Sequence, residues 1–370
     1  MATNVIVAGA LASKPNNGGE AWVRLSWVRA LTALGFDVRF IEELPGASAQ
    51  ARSWFNDVIA WAGLSDRAVL LDGEDARSHA TAHEWAHEAA LLVNISGNVR
   101  DRHVLQAVKQ RVYVDLDPGY TQLWHEQGLL STALQEHHHH VTVGLGVGRA
   151  ACDLPTGGFD WIGVVPPACV DDWSGPPGEP GRFTTIAAWR GSYGRVSRNG
   201  HSYGQKAHEF RRVIDLPQRL TWDVEVALAI DPADAADHDA LVTRGWQLVD
   251  PFIAAGTPPR FRSYVLDSSA ELSPAQSVYV ETTSGWISDR TVRYLAAGRP
   301  ALVQDTGLAA FLPTGEGLLT FSGGEDAVKR ARELADDYVM HCRAARAWAL
   351  EFASPSAALT PLLERTGVAP

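Results

Sequence analysis

Between residues 4 and 44 the chain runs through four contrasting stretches in quick succession. An unbroken apolar run, VIVAGAL, gives way to a polar loop, SKPNNGGE, then to an amphipathic stretch, AWVRLSWVRALTALG, and then to DVRFIEEL. An apolar run without alternation reads as a strand covered on both faces, and the 3.6-residue spacing that follows reads as a helix. Gly35 stands where a helix C-cap glycine belongs, ahead of the second strand. Strand, helix and strand in this order form a crossover unit of a parallel sheet. An all-helical bundle or an antiparallel sandwich does not begin this way.

The same alternation continues. Strands are expected at Ala68–Leu71, Leu91–Ser96, Val112–Asp115, Val141–Gly144 and Trp161–Val165, with helical stretches between most of them. Residues 166–182, PPACVDDWSGPPGEPGR, are rich in proline and glycine and read as a linker. A second series follows at Phe183–Ala188, Val224–Ile230, Trp246–Val249, Ser277–Val280, Ala301–Gln304 and Gly317–Phe321. Helices are expected over Lys206–Val213, Asp289–Ala297, 325–350 and 356–366. The expected architecture is α/β, with two Rossmann-like doubly wound domains facing a cleft: 1–165, a linker at 166–182, and 183–350. Residues 351–370 form a C-terminal helix able to pack back on the first domain. The length of 370 residues accommodates two domains at roughly 100–200 residues each.

Composition narrows the function. The chain carries 32 basic and 43 acidic residues, a net charge of −11, and no basic block. That works against a nucleic-acid partner. No apolar stretch of about 18 residues is present and the N-terminus lacks a basic region before its apolar run, so a cytoplasmic protein with no integral membrane segment is expected. Cys152, Cys169 and Cys342 are too few and too scattered for a disulfide framework or a zinc ribbon and read as inert thiols. The 13 tryptophans read first as core, with ligand stacking as the alternative.

Ligands of open parallel sheets sit beyond the carboxyl ends of the strands, against loops and helix N-termini. Three loops stand out. Ser13–Glu20 places Gly18 and Gly19 where backbone could close on a phosphate, or simply permit a turn. Trp189–Lys206 concentrates Arg190, Arg195, Arg198 and Lys206, either to meet a diphosphate or as a solvated hairpin. Thr282–Pro300 runs from the small Ser284-Gly285 pair into a helix with Asp289 and Arg290 in its first turn. There Asp289 either accepts from ribose hydroxyls or compensates the helix dipole.

Leu295–Pro300 (LAAGRP), Ala301–Gly307 (ALVQDTG) and Thr314–Phe321 (TGEGLLTF), following SGW and SDR, resemble the donor-binding half of GT-B glycosyltransferases in order and spacing. With YGQKAHEF, they resemble a bacterial group of predicted glycosyltransferases, most specifically over residues 183–321. The resemblance implies a hexosyltransferase-type enzyme taking a nucleoside-diphosphate sugar, UDP- or dTDP-linked, with no further cofactor and no metal. It assigns Arg190 and Lys206 to the diphosphate, across a longer spacing than usual because GSYGRVSRNGHSYGQ is inserted. It assigns Gly18 and Gly19 to the donor phosphate, Ser284, Gly285 and Ser288 to the turn over the phosphates, and Thr306 and Gly307 to the loop beside the transferred sugar. Many retaining members carry two glutamates seven residues apart, whereas here the corresponding positions are Gly285 and Arg293. Asp289, beside Arg290, is the expected substitute for the ribose acid, and the stereochemical outcome is left open.

An inverting enzyme needs a base beside the acceptor hydroxyl. The loop after the first strand has no His or Asp, which leaves Asp115 and Asp117 in YVDLDPGY, the latter also readable as an Asp-Pro turn. His83-Glu84-Trp85-Ala86-His87 matches the zinc-hydrolase pattern HExxH but lacks a fitting third ligand, so coincidence on a surface helix is the expected reading. His137–His140 reads as solvated loop, with a cleft contact as the alternative. The acceptor, a small molecule or a glycan, and the oligomeric state are not readable. The rival readings are a non-catalytic nucleotide-binding protein and a sugar-nucleotide epimerase or hydrolase on the same fold.

Overall fold

The computed structural model describes residues 2–370 apart from Glu74 and Ser192. The first half builds one sheet from β1 (Asn4–Ala8), β2 (Asp37–Glu43), β3 (Ala68–Leu71), β4 (Leu91–Ile95), β5 (Gln110–Asp115), β6 (His139–Thr142) and β7 (Trp161–Gly163). Its spatial order is β3-β2-β1-β4-β5-β6-β7, every pair parallel. The second half starts with β8 (Arg182–Ala188) and a small hairpin, β9 (Ser197–Arg198) with β10 (His201–Ser202). It continues with β11 (Asp223–Ala229), β12 (Gln247–Val249), β13 (Ala270–Ser273), β14 (Ala301–Gln304) and β15 (Leu318–Phe321). These give the all-parallel order β12-β11-β8-β13-β14-β15. In both sheets the order reverses direction beside the first strand, at β1/β4 and β8/β13, which places ligand crevices there.

Helix Gly18–Ala33 covers the first sheet with Leu25, Val28 and Leu31, and Asn17 caps its N-terminus by accepting from the Glu20 N–H. The C-terminal helix Pro355–Thr366 buries Ala358, Leu359 and Leu362 in that same core rather than in the core of the second sheet. The linker is extended, with one tight turn at Val170–Trp173 whose Trp173 is buried.

Several expectations need correction. Ser277–Val280 is helical, within Ser277–Glu281, and the strand lies earlier at Ala270–Ser273. Glu271 disguises that strand, since a carboxylate in mid-strand does not look buried until its partner Arg290 is seen. The expected single helix over 325–350 is two, Gly324–Asp336 and Tyr338–Trp348. Strand β6 begins at His139, so His140 is a buried strand residue stacked on Phe159 rather than a solvated loop residue. His137 is buried as well, and burial pushes its imidazole down to about 4. Most tryptophans, Trp27, Trp173 and Trp189 among them, fill cores.

Candidate active site

A cavity of 570 Å³ opens between the two sheets, bordered by strand-end loops of both halves. The first half contributes Lys14, Glu20, Arg24, Asn98, Arg100 and Asp117. The second contributes Ala188, Gly191, Tyr193, Gln276, Trp286 and Asp289.

Asp115 and Asp117 end β5 and separate in role. Asp115 is wholly buried and accepts from Thr121 Oγ1 (2.6 Å), Gln122 Nε2 (2.9 Å), Thr142 Oγ1 (2.8 Å) and the Asp117 N–H (2.9 Å). Its lone pairs are spent on holding the loop. Asp117 lines the cavity, and the Tyr279 hydroxyl donates to it at 2.9 Å. Burial, and next the charge of Asp115, push its carboxyl up to about 6, against the lowering effect of the Tyr279 bond. A carboxylate so tuned, facing a cleft, suits proton abstraction near neutral pH.

Lys206 opens helix Lys206–Arg212 and makes no hydrogen bond or ion pair among the described residues. Burial lowers its ammonium to about 7, with Arg290 next, while Glu271, Asp117 and Asp289 act in the opposite sense. Arg24 is a cation that the sequence reading missed. It is 5% exposed, lines the cavity, pairs with Glu20 one turn earlier, and its buried Nε has no partner among the described residues. Burial alone would raise the Glu20 carboxyl, but Arg24 and Lys14 hold it below its usual range. Trp286 stacks on Tyr279 with centroids 4.5 Å apart, and Tyr193 packs near Tyr120 and Trp124 to form an aromatic wall.

The other expected site residues are placed differently. Arg190 forms a two-pronged pair with Asp234, its Nε at 2.6 Å, with the side chain 58% exposed and outside the cavity lining. Arg195 meets His208, and Arg198 pairs with Glu126 of the first half at 3.0 Å. The inserted loop thus ties the halves together, with Gln127 Nε2 donating to the Ser197 carbonyl at 2.9 Å, and sends Gly191 and Tyr193 rather than its arginines to the cavity. Of the four cations expected there, Lys206 alone is left without a partner among the described residues.

The Gly18-Gly19 segment packs against the second half. A Cβ on Gly18 would fall 2.6 Å from the Ala255 carbonyl oxygen and closer to that of Thr257, while one on Gly19 would meet the Phe261 ring at 3.0 Å. Nearby, Trp22 Nε1 donates to the Pro258 carbonyl at 2.9 Å. Backbone N–H groups do converge on an anion after β1, but the anion is the protein's own. The Glu42 carboxylate accepts from the amides of Leu11 (2.7 Å), Ala12 (2.5 Å) and Ser13 (3.1 Å).

Ser284 and Gly285 lie in a second interdomain contact. The Ser284 carbonyl accepts from the Gly146 N–H at 2.8 Å, that of Gly285 from Leu145 at 3.3 Å, and Gly144 bridges Trp286. Gly285 has φ +65°, and a Cβ there would lie 2.8 Å from the Gly146 nitrogen. Thr306 and Gly307 back this turn: Thr306 Oγ1 donates to the Trp286 carbonyl at 2.7 Å. Ser288 caps helix Asp289–Ala296. Arg290 is consumed by Glu271 (2.6 Å), the Ile186 carbonyl (2.7 Å) and Ser273 (2.6 Å). Asp289 reaches the cavity, held from one side by Arg293, whose Nη2 also donates to Ser26 of the first half at 3.1 Å. His87 and Glu84 are exposed, and no third ligand joins the His83/His87 pair among the described residues.

No protein-family model and no curated protein sequence matches the chain. Solved structures do. An alpha-glucosyltransferase in complex with UDP superposes with a TM-score of 0.61 at 10% identity, covering 100% of both chains. HepE from Anabaena in complex with UDP gives 0.60 at 9% identity over 99% of each chain. A glycosyltransferase from Rickettsia africae gives 0.55 at 9% identity, covering 99% of this chain and 98% of that one. The two parallel sheets facing a cleft are the GT-B fold shared with these structures, and at such identities the likeness is one of fold.

Proposed function

We propose that the protein transfers a glycosyl group from a nucleoside-diphosphate sugar to a hydroxyl acceptor in the cleft between its two sheets. The observation that carries the reading is Asp117 at the end of β5, which lines the cleft with its carboxyl pushed up to about 6 and whose charge acts on the Lys206 ammonium at a helix start of the second half. Asp117 would take the acceptor hydroxyl's proton as oxygen attacks the anomeric carbon. Lys206, aided by Arg24, would meet the negative charge that grows on the departing diphosphate, without a metal. Tyr193 and Trp286 offer apolar faces to the base or sugar, and Asp289 the hydrogen-bond acceptor for a ribose. Closure over the donor would keep water from the anomeric carbon.

Structures of this fold solved with UDP or UDP-glucose support a uridine nucleotide as the first donor to try. One neighbour was solved with UDP and a 13-mer DNA. The net charge of −11 here favours a small-molecule or glycan acceptor instead. Among the described residues no helix is long and apolar enough to cross a membrane.

The test is calorimetric titration with UDP, dTDP, GDP and ADP, with and without EDTA, followed by turnover of the matching nucleotide sugar. Saturable binding of one diphosphate in EDTA, with Asp117→Asn retaining binding and losing turnover, is the expected result. Absence of binding to all four overturns the reading. The second reading, nucleotide binding without turnover, draws on the Arg293–Asp289 pair, which engages the carboxylate proposed for a ribose. Binding with no release of diphosphate from any sugar nucleotide would favour it.

A further inference from the structure

Away from the cleft, His79 and His83 lie one turn apart on helix Ala76–Glu88 and face the Asp101 carboxylate. His79 Nδ1 and His83 Nε2 are each 3.3 Å from the same oxygen, Asp101 Oδ2. One ligand atom from each of the three residues lies within 4.8 Å of the other two. The other carboxylate oxygen, Oδ1, is occupied, capping the next helix by accepting from the N–H groups of His103 (2.9 Å) and Val104 (3.1 Å). The cap fixes the carboxylate's orientation and leaves Oδ2 aimed between two imidazoles. His103 stands alongside, its ring centroid 4.9 Å from that of His83 and its Nδ1 3.8 Å from Asp101 Oδ1.

We infer that His79, His83 and Asp101 form a binding site for one zinc-type divalent ion, with water or His103 in the fourth position. Two imidazole nitrogens and one carboxylate oxygen suit zinc and its borderline neighbours, whereas magnesium and calcium prefer all-oxygen shells. Two histidines at i and i+4 project from one helix face, so the pair needs no rearrangement of backbone to share an ion. The site differs from the HExxH pattern, because His79 replaces His87 as the partner of His83 and Glu84 is exposed. No zinc-activated hydrolysis is implied.

The position gives the ion a use. The N–H groups of Arg100 and Asp101 donate to Glu43 at 2.6 and 2.8 Å, and Asn98 Oδ1 accepts from the Glu43 N–H at 3.1 Å. Asn98, Arg100 and Glu43 all line the cleft. An ion joining Asp101 to helix Ala76–Glu88 would therefore stiffen the loop that borders the first half's side of the cavity. The inference stands independently of the transferase reading.

The experiment is titration of chelator-treated full-length protein with zinc chloride at pH 7.5 by calorimetry, with cobalt(II) absorption as the second readout and magnesium chloride as the control. One saturable zinc equivalent and a visible cobalt spectrum of low coordination number are expected, both weakened at least tenfold in His79→Ala and His83→Ala and unchanged in His87→Ala. Asp101→Asn, which keeps an oxygen for the helix cap, should weaken zinc while preserving the melting temperature of the metal-free protein. Absence of saturable binding, binding that survives His79→Ala combined with His83→Ala, or loss in His87→Ala instead would each overturn the site and leave a hydrogen-bonded triad only.

Discussion

The Tyr279 hydroxyl donates to the Asp117 carboxylate at 2.9 Å, joining the carboxyl end of β5 in one sheet to a short helix beside the other. The bond favours ionised Asp117 while burial and Asp115 oppose it. It thus couples the proton affinity of the proposed base to the approach of the two halves.

This coupling predicts the acid limb of activity. The kcat/KM for glycosyl transfer should rise with pH through about 6, where Asp117 loses its proton. Asp117→Asn should lower kcat by about 10²–10⁴. Tyr279→Phe removes a donor to the charged form and should move the limb upward by roughly half to one pH unit. A limb that stays in place in Tyr279→Phe would show that the bond does not tune the base.

Stability should follow the same group with the opposite sense. A carboxyl raised from its ordinary 3.8 to about 6 in the folded protein holds its proton more tightly there than when unfolded. Its contribution is greatest below 3.8 and is lost as pH rises through 6. Asp117→Asn should therefore match the parent at pH 4 and be more stable by about 1–2 kcal/mol at pH 7, allowing for partial exposure. Denaturant melts of both proteins across that range measure the difference.

Lys206, lowered to about 7, predicts the alkaline limb. A bound diphosphate stabilises the ammonium, so nucleotide binding near pH 7.5 should take up a proton, visible as a buffer-dependent calorimetric enthalpy. Affinity should fall above pH 7 in the parent. Lys206→Arg keeps its charge throughout and should abolish that fall. Arg190→Ala, which removes a pair with Asp234 lying outside the cavity lining, should leave nucleotide affinity within about twofold.

The interdomain contacts predict positions intolerant of side chains. Gly18→Val drives atoms into the backbone carbonyls of Ala255 and Thr257, which cannot swing aside as a side chain does. A cost of about 1–3 kcal/mol or more is expected. Gly285→Ala adds the strain of φ +65° to a close approach to the Gly146 nitrogen, and should cost a similar amount. Thermal melts report both. Near-parental melting of Gly18→Val would mean that the halves separate there without penalty.

Arg293 should be the costliest of these to truncate. It is 2% exposed, pairs with Asp289 and bonds Ser26 across the cleft. Arg293→Ala should destabilise by about 2–4 kcal/mol, somewhat less than breaking a fully buried pair because Asp289 is partly solvated. If Asp289 serves a ribose, its release should also change nucleotide affinity, which titration with UDP would reveal.

Sequence alone determined the layered α/β plan, the two parallel sheets and the helices between most of their strands. Apolar runs and 3.6-residue spacing are local properties that burial on both faces enforces directly. Of the residues it offered as candidates, Asp117 at a strand end and Asp289 at a helix start line the cavity, while Lys206 was a candidate through the resemblance. Tertiary structure alone decided which charged groups face the cleft. Arg190, Arg195 and Arg198 found carboxylate or histidine partners distant in sequence, and Arg290 was drawn into β13 by Glu271. The N–H groups after β1, legible as an anion site, were filled by Glu42 of the neighbouring strand. Arg24 sits within helix Gly18–Ala33, and only the folded chain shows it buried, against Gly9 at the end of β1 and paired with Glu20. Pairing, desolvation and the contact between halves depend on distances that residue spacing does not encode, so charge placement was legible only in the folded chain.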